Sequence, residues 1–310
     1  LMNYLLSAIY KGTKLILVGD SDQLPSVGPG SVLKDLIESE RITTVHLDKV
    51  FRQAARSQIV VNAHRVNEGE YFASKEELQE DSKQDFFVIN ETNQEKILYQ
   101  VLSLCTGRLQ SYGDYDFFKN IQLITPTKKG ALGTKELNKL LQEHLNPHRE
   151  EFPERKNLDA VYRIGDRVMQ IKNNYDIFWE RDIDGYEAGA GVFNGEFGTI
   201  IEIDEQEKRI KILFDDEKFA WYQYTELDQI EHAYAITVHK AQGSEFDVVI
   251  MPVVQAAPLL LTRNLLYTGM TRARKMLIII GNASVIDFMI NNVDSKKRNT
   301  GLEYKFKIVD

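Results

Sequence analysis

Apolar positions recur along this chain in two rhythms that change places twice. Up to about residue 160, helical periods alternate with short apolar runs. The pattern predicts a helix over residues 1–10, a buried parallel strand at Lys14–Val18, and a helix at Val32–Glu38 behind a candidate cap, Ser31. It continues with a helical period over 54–68, a strand at Phe86–Ile89, a helix near 93–106, a strand at Ile121–Thr125 and a helix over Gly133–Leu145. From about residue 161 the period shortens to that of strands. Arg167–Ile171, Gly198–Ile203, Arg209–Phe214 and Ala220–Tyr224 are separated by Gly and Asp turns, as in a small barrel. From Ala233 the first rhythm returns, with strands at Asp247–Val253 and Met276–Ile280 and helices near 262–273 and 284–292. The order α/β, all-β, α/β implies a β module inserted into an α/β domain.

Composition narrows the class. The chain has 310 residues, 43% hydrophobic and 27% charged, which excludes a disordered chain. Apolar runs such as Met276–Ile280 fall far short of the roughly 18 residues that span a bilayer. A single cysteine, Cys105, excludes a disulfide scaffold and a Cys-rich zinc site, so a reducing, cytoplasmic location is expected. The first residues lie inside an apolar-periodic segment with no capping residue before it, as expected of a fragment of a longer chain.

Forty-six acidic and 38 basic side chains give a formal net charge of −8, which argues against nucleic acid as a partner. The distribution changes that picture. Asp176 to Asp228 holds 15 acidic and 5 basic residues, so everything else carries a net +2. Lys119–Lys139 has five lysines against one Glu, and Arg263–Lys275 has four basic residues and no acid. The acidity belongs to the β module, and the α/β part is able to hold a phosphate backbone.

Four segments carry candidate chemistry. GDSDQLPSVGPG, Gly19–Gly30, follows an apolar run, and a Gln at such a strand end can orient water or touch a phosphate. VFRQ, Val50–Gln53, offers an Arg of the kind that stabilises a transferring phosphoryl group. In YAITVHKAQGSEFDVVIMPV, Tyr234–Val253, the hydroxyls of Thr237 and Ser244 with Lys240 suit phosphate contacts. His239 lacks metal-type partners at suitable spacing, so no metal site is expected. LLYTGMTRARKMLIIIG, Leu265–Gly281, places Arg272 and Arg274 at a helix end, with planar donor forks suited to phosphate.

In order, GD..QLP..G, L..VFRQ, ITPT, TVHKAQGSEF and LYTGMTRAR resemble motifs III to VI of superfamily 1 helicases, and most closely those of the RecD-like, exodeoxyribonuclease V alpha-subunit type. The resemblance implies an α/β fold of RecA-like, P-loop NTPase-type parallel-sheet domains with an inserted small β-barrel of the Src-homology type. Residues 1–53 would be the remnant of the first RecA-like domain, 54–165 with 232–310 the second, and 166–231 the barrel. It implies ATP and Mg²⁺ in the cleft between the RecA-like domains. Gln23, Arg52 and Arg272 would be the catalytic contacts to the phosphates, with Asp20, Gly243 and Glu245 on the nucleotide side. Thr125, Thr127, Thr237, His239 and Lys240 would contact the single-stranded DNA backbone. Translocation 5′ to 3′, helicase–nuclease partner subunits and no membrane complete the expectation.

The chain departs from the family at one point. It has no G-x-x-x-x-G-K-[ST] and no apolar strand ending in Asp-Glu ahead of Gly19. Those motifs hold the phosphates and Mg²⁺. The expectation is a piece cut just after motif II, inactive alone. A non-catalytic nucleic-acid or protein-binding module, and the motor part of a conjugative relaxase, remain open alternatives.

Overall fold

The computed structural model describes residues 2–25, 28, 30–47, 56–182, 185–293, 301, 302, 304 and 305. Two sheets organise the chain. The first is five-stranded and parallel; the second is seven-stranded and antiparallel.

The chain opens with helix α1 (Met2–Ala8), then an extended stretch, a loop and helix α2 (Val32–Glu38). The strand expected at Lys14–Val18 does not form: no described strand pairs with it, and Ile16 and Val18 are 81% and 92% exposed. Apolar composition makes a run competent for a buried parallel strand, but it becomes one only beside a neighbour that supplies the hydrogen-bond ladder. Ser31 sits at the N-cap of α2, yet its side chain makes no capping bond.

The parallel sheet is assembled from both ends of the remaining chain. Helix α3 (Gln58–Glu68) is capped by the Ser57 side chain and closed by Gly69 in the left-handed region. Strand β1 (Phe86–Asn90) and helix α4 (Gln94–Ser103) follow. A π-turn at Leu104–Arg108, with non-helical Gly107, breaks the single helix expected near 93–106 and leads into α5 (Leu109–Gly113). Then come α6 (Phe117–Asn120), β2 (Ile121–Thr125) and α7 (Thr134–Leu145).

The intervening residues build the antiparallel sheet. A two-stranded hairpin, β3 (Glu154–Asn157) and β4 (Ala160–Arg163), precedes it. Its strands are β5 (Arg167–Gln170), β6 (Asn174–Asp182), β7 (Tyr186–Val192), β8 (Phe197–Asp204), β9 (Arg209–Phe214), β10 (Phe219–Gln223) and β11 (Ile230–His232), in the order β11-β5-β8-β9-β10-β6-β7. Ile177, Val192, Ile200, Ile210, Ile212 and Tyr222 form its own core. Among the described residues the end strands β11 and β7 are not paired to each other. Four of these strands are legible in the sequence; the long β6–β7 hairpin is not.

Two residues after β11 the chain re-enters the parallel sheet as β12 (Ala235–Thr237), then β13 (Phe246–Val253), helix α8 (Arg263–Met270), β14 (Ala273–Gly281) and helix α9 (Ala283–Asn291). The strand order is β1-β14-β13-β2-β12. Side chains alternate between its faces with period two. Val249, Met251, Leu277 and Ile279 join the core under α3, α8 and α9, whereas Val248, Ile250, Met276 and Ile278 join the core under α4 and α7. Burial on both faces explains the unbroken apolar runs of β13 and β14. Helix α8 ends at Met270 instead of near 273, so Arg272 lies in the turn and Arg274 in β14.

A buried carboxylate ties the two sheets together. Asp166, fully buried ahead of β5, accepts hydrogen bonds from Gln142 (2.7 Å) and Asn146 (2.8 Å) of the α7 end and from the Tyr234 hydroxyl (2.8 Å) before β12. The Arg163 amide (2.7 Å) and His232 Nε2 (3.0 Å) complete the set. A buried carboxylate is tolerated only when its oxygens are satisfied in this way. No helix among the described residues is long and apolar enough to cross a membrane.

Candidate functional site

Loop 19–24 is docked on α8 and on the turn ahead of β13. Asp20 organises it: one oxygen accepts the Asp22 amide at 2.9 Å, the other the Gln23 side chain at 2.9 Å and the Tyr267 hydroxyl of α8 at 3.1 Å. The Leu24 amide donates to the Thr268 hydroxyl at 2.8 Å, and the Leu24 carbonyl accepts from Gln242 at 2.6 Å. Asn264 donates to the Asp22 carbonyl at 2.7 Å, and Asn67 of α3 to its carboxylate at 2.9 Å.

Arg272 stands at the centre of this contact, 6% exposed. Its Nε donates to the Thr268 carbonyl (3.1 Å), Nη1 to the Ser244 carbonyl (3.0 Å), and Nη2 to Gln23 Oε1 (3.3 Å) and the Thr271 hydroxyl (3.1 Å). Burial lowers its pKa from the ordinary guanidinium value, and the charges of Glu245 and Asp20 oppose that shift. Burial and the Asp20 carboxylate raise the Tyr267 pKa, so this side chain is a phenol donor at neutral pH. Gly243 holds φ +83° with open space where a Cβ would stand, and Glu245 beside it is exposed. The left-handed backbone there favours glycine.

The sequence-predicted residues Asp20, Gln23, Gly243, Glu245 and Arg272 are thus brought to one place. Arg52 lies outside the described residues. Tyr267, Thr268 and Gln242, to which the sequence assigned no role, hold the loop. Their signal is absent from local pattern, because the partners are more than 200 residues apart.

A second feature opens at the carboxyl ends of β2, β12 and β13, where open α/β sheets bind ligands. It is a cleft of about 660 Å³. Thr127, Lys128, Lys129, Thr237 and His239 line its polar side, with no acidic side chain in the lining, and Val254, Ala256 and Leu260 form part of its apolar side. The loop after β2 folds on itself: the Thr125 hydroxyl donates to the Leu132 carbonyl at 2.8 Å, and the Thr134 amide to the Thr127 carbonyl at 3.1 Å. Gly133 closes the loop where a Cβ would meet the Lys129 backbone at 2.6 Å.

Thr127, Thr237 and His239 line this cleft; Thr125 and Lys240 do not. Thr125 is 1% exposed with its hydroxyl bound inside the loop, so it shapes the cleft without facing it. The Thr237 hydroxyl accepts the Lys240 amide at 3.3 Å, fixing the turn. The Lys240 ammonium pairs with Glu231 of β11. Desolvation lowers the His239 pKa from the ordinary 6.5, leaving a neutral imidazole at pH 7. Among the described residues no group of three or more His, Cys, Asp or Glu side chains is placed to hold a metal ion.

Three stretches of the chain match known protein families. Residues 137–214 match the family described as the ATP-dependent RecD-like DNA helicase SH3 domain, residues 232–280 the UvrD-like helicase C-terminal domain, and residues 1–87 an AAA domain. The chain is 32% identical over 284 residues to the ATP-dependent RecD2 DNA helicase of Deinococcus radiodurans, covering 92% of this chain and 35% of that protein. It is 26% identical over 333 residues to the RecBCD enzyme subunit RecD of Buchnera aphidicola, covering 92% of this chain and 52% of the relative. It therefore spans about a third to a half of the length of these curated relatives. A crystal structure of Pif1 helicase from Bacteroides in complex with ADP-AlF3 and ssDNA superposes with a TM-score of 0.46 at 17% identity, covering 87% of this chain and 62% of that one.

Proposed function

On the premise of a RecD-like helicase, given by a RecD-like SH3 domain and a UvrD-like helicase C-terminal domain in one chain, we propose that this chain is the DNA-gripping and nucleotide-sensing part of an ATP-dependent motor on single-stranded DNA. The observation that carries the reading is the docking of loop 19–24 on Arg272 and Tyr267, in a chain that also has a basic cleft at its strand ends.

In this reading the nucleotide and the strand are held at different places. Arg272 and Gln23 present a cation and an amide to the terminal phosphate of a nucleotide, with Gly243 and Glu245 on its ribose side. These residues fit the phosphate end of ATP; the phosphate loop and the Mg²⁺ ligands belong to motifs that are not in this sequence, so this stretch alone does not hydrolyse ATP. ATP, when bound, supplies the free energy of the cycle. Arg52 serves as the arginine finger of motif IV, joining Arg272 on the phosphates in the closed state. Making and breaking the Gln23–Arg272 contact changes the seating of the loop on α8, and α8 packs on the sheet whose strand ends form the cleft. Alternating grip through Thr127, Lys128, Lys129, Thr237 and Lys240 then moves the strand, in the 5′ to 3′ direction.

Residues 54–165 with 232–310 form one RecA-like domain in this reading, with 166–231 inserted and 1–53 belonging to the preceding one. Backbone contacts make binding nearly independent of base sequence and strongly salt-dependent. The test is binding of labelled oligothymidylate and of a mixed-sequence strand. Affinities within a few-fold of each other, with a salt slope reduced by about 1.4 in a Lys128→Ala/Lys129→Ala variant, are expected. Absence of binding by the wild-type chain, or an unchanged slope in the variant, overturns the reading.

A further inference from the structure

One cation of the grip is already engaged, and by an unexpected element. Lys240 stands in the turn after β12, at the edge of the parallel sheet, and its ammonium pairs with the Glu231 carboxylate. Glu231 belongs to β11, the end strand of the antiparallel sheet, in register with Met169 of β5. The pair therefore joins the inserted sheet to the motif that borders the cleft. Thr237 fixes the Lys240 backbone from below, through its hydroxyl and its carbonyl.

The two partners differ in their access to water. The Lys240 side chain is 21% exposed and the Glu231 side chain 46%. A cation held that far from solvent needs an anion beside it. Desolvation and the nearby charge of Lys128, a lining residue of the cleft, both lower the Lys240 pKa, and Glu231 opposes them. The carboxylate has the easier return to water, so an arriving phosphate exchanges for Glu231 at low cost to Glu231. Once displaced, that carboxylate stands next to a polyanion and repels it.

We propose that Glu231 is a positioning residue that occupies Lys240 in place of a backbone phosphate, holds it one residue beyond the cleft-lining His239, and releases it when a strand enters. Through this exchange the inserted sheet sets the affinity of the grip. The proposal rests on the cleft reading above.

The test is a double-mutant cycle on the full chain, read by anisotropy of fluorescein-labelled oligothymidylate about 16 nucleotides long. Glu231→Gln is nearly isosteric on a half-exposed site, and a thermal melt checks its folding. In the wild-type background Glu231→Gln tightens binding about threefold to fivefold, the size of a partly exposed ion pair. In a Lys240→Ala background it changes nothing. Glu231→Asp restores the wild-type affinity at least in part. Equal tightening in both backgrounds overturns the exchange, because Glu231 then acts by general repulsion alone. No tightening by Glu231→Gln, with Lys240→Ala still weakening binding, overturns it as well and leaves the cleft reading standing. Unchanged binding by Lys240→Ala removes Lys240 from the grip and overturns the exchange together with that part of the cleft reading.

Discussion

Gln23 and Arg272 lie 249 positions apart in sequence and meet at 3.3 Å, amide oxygen to guanidinium. Each is also held from elsewhere: Gln23 by the Asp20 carboxylate at 2.9 Å, Arg272 by the Ser244 and Thr268 carbonyls. The contact is thus a junction between loop 19–24 and the turn after α8. Leu24 of the same loop also packs against the apolar core that holds Leu265, Leu266 and Met270, so the junction is polar on one side and apolar on the other.

The first prediction concerns Tyr267. Its hydroxyl donates to Asp20 at 3.1 Å from a half-buried position. Tyr267→Phe leaves the packing of the ring and removes a hydrogen bond to a charged group, about 1.5–3 kcal/mol of loop seating. In a longer protein that carries the phosphate loop, DNA-stimulated ATP hydrolysis falls about tenfold, and Gln23→Ala lowers it further. Steady-state turnover at saturating DNA measures both.

A second prediction concerns pH. His239 has its pKa held below 6.5 by desolvation in the cleft that Lys128 and Lys129 share. In the free protein the unfolded chain therefore takes up this proton first, and acidification through 6.5 costs stability. Phosphates in the cleft favour the imidazolium, so binding takes up a proton. Affinity for single-stranded DNA rises as pH falls from about 7.5 to about 6, and His239→Gln flattens the profile. NMR titration of His239 with and without oligothymidylate reads the shift directly.

Asp166 supplies a third. Its buried carboxylate accepts from Gln142, Asn146, Arg163 and Tyr234, with His232 at 3.0 Å. Asp166→Ala orphans several buried donors at the joint between the sheets and costs about 3 kcal/mol or more. Urea unfolding measures it; a loss below about 1 kcal/mol contradicts this role for the carboxylate.

The legible and illegible parts of the chain divide along physical lines. β2, β9 and β13 were readable because dense β-branched and apolar residues need burial on a sheet. The β7 strand, YEAGAGV, has small residues with no apolar alternation, so the hairpin it makes with β6 left no pattern. Lys14–Val18 misled in the opposite direction, since an apolar run carries no information on whether a partner strand is present. At the candidate site, two of the motifs contain Gln23 and Arg272, which the fold brings into contact. Tyr267 and Gln242 act through contacts across the whole chain and left no local signal. Thr125 shows the limit of motif transfer: the position is in the loop, but its hydroxyl faces inward.

In the proposed function Arg272 serves the nucleotide side while the cleft holds DNA, and Arg272→Ala in the longer protein separates the two roles. The measurement is DNA-stimulated ATP turnover at saturating single-stranded DNA, with strand affinity taken on the same preparation. Turnover is expected to fall at least about a hundredfold, with strand affinity within about twofold of wild type. Normal turnover in that variant would contradict it.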